Sequence, residues 1–98
     1  MTQTNQPQEI KLADNIPGAE YTNMMQVGHT KEEFNFMFAN IMSMSPSGKV
    51  VGKIITTPGH FKRMIAAMKE NLDKYEATFG KISEAEAPGL DKNIGFQG

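Results

Sequence analysis

Cysteine is absent from this 98-residue chain, so disulfide staples and thiol chemistry are excluded. Long hydrophobic runs are missing too. Nothing approaches the roughly 18 apolar residues of a membrane-spanning helix. The opening Met-Thr-Gln-Thr-Asn-Gln-Pro-Gln-Glu has neither the basic start nor the apolar centre of a signal peptide. A soluble cytoplasmic protein with no membrane partner is the expectation. Charge of one sign is also lacking: the formal net charge is −1, and residues 20–80 hold seven Lys/Arg against six Asp/Glu. Phosphate neutralisation needs a basic surplus or stripe, so direct contact with nucleic acid is not expected. A nucleophile with its base, a phosphate-cradling glycine loop and a suggestive carboxylate pair are all missing. The chain therefore reads as a non-enzyme that needs no cofactor.

Large apolar residues are scarce at both ends. Residues 1–19 read as a flexible segment, 20–82 as the single folded domain, and 83–98 as a disordered tail. A domain of that size buries only roughly 60% of its unfolded surface. Self-association is the expected remedy for so small a core.

The clearest element spans Thr57 to Gly80. Thr57 suits the N-cap, where its hydroxyl accepts from a free backbone N–H of the first turn. Pro58 follows at the first helical position, where its missing donor costs nothing. Gly80 supplies a residue able to close the helix at positive φ. Between them Phe61, Ile65, Met68, Leu72, Tyr75 and Phe79 recur at steps of four and three, which sets them on one stripe. Lys69–Asp73 and Glu70–Lys74 are four apart on the opposite side and suit weak ion pairs.

Ahead of this helix the pattern has period two. Tyr21, Met25 and Val27 alternate with Thr22, Met24 and Gln26, which predicts a first strand over residues 20–29. Gly28 to Glu32 reads as a turn. Phe34, Phe36 and Phe38 alternate with Asn35, Met37 and Ala39 in a second strand, the largest block of core in the chain. The alternation slips at Ile41, Met42 and Met44, as either a bulge near Ala39–Asn40 or a sheet apolar on both sides would cause. After a turn at residues 45–48, Lys49 to Thr56 is rich in β-branched residues and forms a third strand. Ile10 and Leu12 allow a fourth, edge strand. The fold class is α+β: a three-stranded antiparallel meander, four-stranded with that edge, then one long helix packed on one face. In this arrangement the apolar stripe is spent on the chain's own sheet.

Three motifs in these elements resemble a small bacterial family of unknown function, number 3467 in the domain-of-unknown-function series. They are Tyr21-Thr22-Asn23, the turn His29-Thr30-Lys31-Glu32-Glu33-Phe34, and a helix signature. The signature runs Thr57-Pro58-Gly59-His60-Phe61-Lys62-Arg63, then Asn71, then Tyr75-Glu76-Ala77-Thr78-Phe79-Gly80. The likeness covers about residues 20–82. Many relatives carry Asp where this chain has Met37. The resemblance implies the fold and self-association, and no activity.

Two sets of residues remain as candidate sites. A sheet with one helix covers a single face, which leaves Met24, Met37, Ala39, Ile41, Val51 and Ile55 as an apolar surface for a second copy or a partner chain. The eight methionines would give such a surface adaptability. His60, Lys62 and Arg63 beside the helix start form a weaker candidate for an anion. The two histidines, His29 and His60, lack a metal-ligand spacing, and no metal is expected. The best functional reading is a homodimeric protein-interaction module. A holdase-like chaperone, or an accessory factor of the transcription and nucleic-acid machinery, is the alternative.

Overall fold

Three strands and one helix follow each other along the chain: β1 (Met24–His29), β2 (Phe34–Met42), β3 (Ser47–Thr56) and α1 (Pro58–Phe79). The structure is a computed structural model, and it describes residues 8–45, 47–86 and 88. The strands pair antiparallel in the order β1-β2-β3, an open sheet with β2 at its centre. This is the expected α+β meander followed by a helix.

Register sorts the side chains into two faces, because residues directly opposite in an antiparallel pair point the same way. Phe34, Phe36 and Phe38 lie opposite His29, Val27 and Met25 on one side, and opposite Thr56, Ile54 and Gly52 on the other. Asn35, Met37 and Ala39 form the far face with Gly28, Gln26 and Met24. The register shifts between Phe38 and Ala39, as the broken alternation indicates. Phe38 faces Gly52 while Ala39 faces Val50, so Val51 of β3 is the extra residue. The expected bulge is thus present, but its added residue belongs to β3.

β1 is shorter than expected because Asn23 ends it with a side chain. Its amide Nδ2 donates to Ile41 O at 2.9 Å, and its Oδ1 accepts from Ile41 N at 2.9 Å. This reciprocal pair imitates one rung of ladder without a further strand residue. Thr22 Oγ1 donates to Ala39 O at 2.7 Å beside it. Residues 8–22 contain no strand, so Ile10–Leu12 adds no fourth edge; Ile10, Leu12 and Ile16 are exposed. β3 begins two residues early, at Ser47. Residues 1–7, 87 and 89–98 of the two expected tails lie outside the described residues.

The helix ends follow the chemistry of their residues. Thr57 accepts from His60 N at 3.2 Å through its hydroxyl and from Phe61 N at 2.9 Å through its carbonyl. Gly80 closes the helix at φ 95° and ψ 170°, a conformation open to glycine, and donates to Glu76 O at 3.0 Å.

The helix does not lie along the sheet, and here the structure corrects the expectation. Phe61 stacks on Phe34, ring centroids 4.0 Å apart at 5°, and sits 5.6 Å from Phe36. Met64 is also half-buried, but no residue of α1 is fully buried. Phe36, at 5% exposure under this contact, and Ala39, at 4%, are the buried core among the described residues. The cause is the joint. β3 ends at Thr56 and α1 begins at Pro58, so Thr57 alone connects them. Strand-to-helix connections that fold back over a sheet usually take about 2–6 residues.

Candidate functional site

Beyond Met64 the helix carries its stripe into the open. Ile65, Met68, Leu72 and Tyr75 are 41–58% exposed, and Phe79 is 73% exposed. Tyr75 and Phe79, one turn apart, pack their rings at 4.9 Å and 46°. Burying what is left open of each side chain is worth about 1 kcal/mol, so the stripe as a whole represents about 5 kcal/mol. That matches the entire net stability of many small domains. The phenylalanine face is uncovered over part of its width as well: Met25, Val27 and Ile54 are each about half exposed.

The charges at the edge and back of the stripe, from Lys69 to Lys74, are settled within the chain. Lys69 Nζ meets Asp73 Oδ1 at 2.6 Å and Lys74 Nζ meets Glu70 Oε1 at 3.3 Å, all four side chains being well exposed. Pairs of this kind contribute a few tenths of a kcal/mol each. They leave the back of the helix a hydrated surface, and the apolar side is the one left open.

Met24, Met37, Ala39, Ile41, Val51 and Ile55 are the surface proposed from sequence for the far face of the sheet; register sets Val50 opposite Ala39 on that face and leaves Val51, the extra residue of the bulge, without a partner in register. Register brings Met24 opposite Ala39 and places Met37 and Ile55 on the same side. Met24, Met37, Ile41 and Val51 are already half-buried within their own sheet, and Ile55 alone of the set is open, at 64%. Ile41 gains its cover in part from Gly48, over which it leans where no side chain stands in the way.

His60, Lys62 and Arg63 are all exposed. Arg63 Nη2 lies 2.8 Å from His60 Nδ1, so the guanidinium donates to the ring of its own helix. The backbone N–H groups of His60 and Phe61 are taken by Thr57. An anion at this end would compete with bonds already made. His29 packs against Phe34 at 5.5 Å as the edge of the aromatic row. Among the described residues, no three His, Asp or Glu side chains come together as a metal would require.

The motif residues have structural work. Asn23 supplies the false rung, and Thr30 Oγ1 accepts from Glu32 N and Glu33 N, both at 3.2 Å, to set the turn before β2. Thr57 caps α1, and Glu76 Oε2 accepts from Ile82 N at 2.9 Å beyond its end. A family model matches the chain over residues 1–84. The chain belongs to the DUF3467 family, described as a protein of unknown function. The match runs back to residue 1 and so takes in the segment ahead of the sheet. No curated protein and no solved structure matches the chain. Membership in DUF3467 therefore assigns no specific function. The exposed stripe is the feature that sequence reasoning misplaced, and the one-residue joint at Thr57 is the signal that points to it.

Proposed function

We propose that this DUF3467 protein is a non-enzymatic, homo-oligomeric protein-interaction module of the cytoplasm. The observation that carries this reading is the uncovered stripe from Ile65 to Phe79. The 22-residue helix packs on the sheet only near Phe61 and Met64, so its far turns lack the tertiary packing that supplies most helical stability in proteins. A second copy brings an identical apolar stripe at the same concentration, and closed two-fold pairs are the commonest homo-oligomers. No helix among the described residues is long and apolar enough to cross a membrane. Without cysteine, nothing in the chain depends on an oxidising compartment. The direct test is light scattering of the full chain at micromolar concentration. A mass near twice 10.8 kDa supports the proposal, and a strict monomer overturns it.

A second reading is favoured by the open thioethers Met25 and Met68, which suit a yielding surface for unfolded chains. It predicts a monomer that suppresses aggregation of a model client. Failure to suppress removes it.

A further inference from the structure

We propose that two copies join through α1 as an antiparallel helix pair centred near Glu70, each helix end reaching over the open phenylalanine face of the other copy. This rests on the homo-oligomeric reading above and adds a geometry to it.

The stripe reads the same in both directions. Phe61 and Phe79, Ile65 and Tyr75, Met68 and Leu72 stand at equal distances on either side of Glu70. Turning a second helix end for end about that point sets Ile65 against Tyr75 and Met68 against Leu72, alternating as side chains do in a packed helix seam. Glu70 itself points away from the stripe, toward Lys74.

The flanks decide direction. Lys62, Lys69 and Glu76 run along one edge of the stripe at seven-residue steps, and Met64, Asn71 and Thr78 run along the other. Antiparallel helices meet like edge to like edge, whereas parallel helices meet opposite edges. The antiparallel pair therefore places Lys62 of each copy beside Glu76 of the other, two attractive contacts. Lys69 meets its own counterpart near the centre, already neutralised by Asp73 at 2.6 Å. Asn71 meets Asn71 on the other edge without charge. A parallel pair would set Met64 and Asn71 against Lys69 and Glu76, with no ion pair between copies.

The same operation covers the second open surface. Phe61 is anchored over Phe34 and Phe36, and the antiparallel partner brings its Tyr75 and Phe79 alongside Phe61. Met25, Val27 and Ile54 lie on that face, half exposed. The open parts of the five stripe residues come to roughly 520 Å² per copy, about 1,040 Å² for the pair, short of the roughly 1,200 Å² at which stable specific interfaces begin. Covering Met25, Val27 and Ile54 as well raises this to roughly 1,600 Å², within the usual range for a stable complex, so the sheet face is needed to complete the interface.

Cysteine substitution tests the geometry, because the chain has no thiol of its own. Full-length Ile65→Cys and Tyr75→Cys chains are refolded together and treated with a short bifunctional thiol crosslinker. Covalent dimer is expected in the mixture and not with either variant alone, since like positions stand roughly 15 Å apart along the helix axis. Asn71→Cys leaves the stripe intact and is expected to crosslink with itself. Circular dichroism and light scattering on each variant establish that it folds and associates. An associated Asn71→Cys chain that gives no covalent dimer overturns the antiparallel geometry while leaving the homo-oligomeric reading in place. So does Ile65→Cys linking to itself, the mark of a parallel pair. A monomeric parent chain overturns both.

Discussion

Phe61 lies flat on Phe34, ring centroids 4.0 Å apart and planes within 5°, and this stack is the joint between helix and sheet. It also shields Phe36, one of two buried side chains among the described residues. Phe61→Ala is expected to cost about 2–3 kcal/mol, below the full range for a core phenylalanine because the ring is only half-buried. Urea denaturation followed by far-ultraviolet circular dichroism measures it. Unchanged stability would mean that the helix is held by something other than this stack.

Asn23 carries a second prediction. Its amide closes β1 by bonding both the N–H and the C=O of Ile41, each at 2.9 Å. Asn23→Ala leaves both backbone groups without this partner and should cost about 1–3 kcal/mol. Hydrogen exchange at the Ile41 amide should accelerate along with the loss. Asn23→Asp keeps an acceptor for Ile41 N but sets a carboxylate oxygen against Ile41 O, so it is expected not to rescue.

Thr57 is expected to act purely as a cap. Thr57→Ala should lower stability by about 1 kcal/mol, and Thr57→Ser should restore most of it, because the hydroxyl bond to His60 N is what is lost. Equal loss in both variants would assign the effect to the β-branched shape of Thr57.

The Lys69–Asp73 pair sets the opposite case. Both side chains are about 60% exposed or more, so Asp73→Ala is expected to shift stability by less than about 0.5 kcal/mol. A larger loss would show that Lys69 needs this neutralisation at an interface, and scattering across protein concentrations would then reveal weakened association.

Much of this architecture is legible in the residues. The alternation Phe34-Phe36-Phe38 sets β2 and its buried face, and Thr57, Pro58 and Gly80 mark the helix ends to the residue. Two things are less legible. The false rung at Asn23 is a side chain acting as backbone, which a period-two pattern does not reveal. The stripe from Ile65 to Phe79 shows by its spacing that it needs cover, but spacing is silent on who supplies the cover. The lengths of helix and strand suggested the chain's own sheet, and the single residue between them is shorter than the connections that usually fold a helix back over a sheet. Alternation carried through β3 misses the bulge, which sets Val50 and not Val51 opposite Ala39, and four of the five leading candidates, Met24, Met37, Ile41 and Val51, are half-buried in their own sheet.

The central claim is that the exposed side of α1 joins copies of this chain. Light scattering on the parent, Leu72→Lys and Ile55→Lys chains tests it most directly, one substitution lying on the stripe and the other on the far face of the sheet. The account predicts a mass near twice 10.8 kDa for the parent and for Ile55→Lys, and 10.8 kDa for Leu72→Lys. A Leu72→Lys chain that keeps the parent's mass while Ile55→Lys falls to a monomer would contradict it.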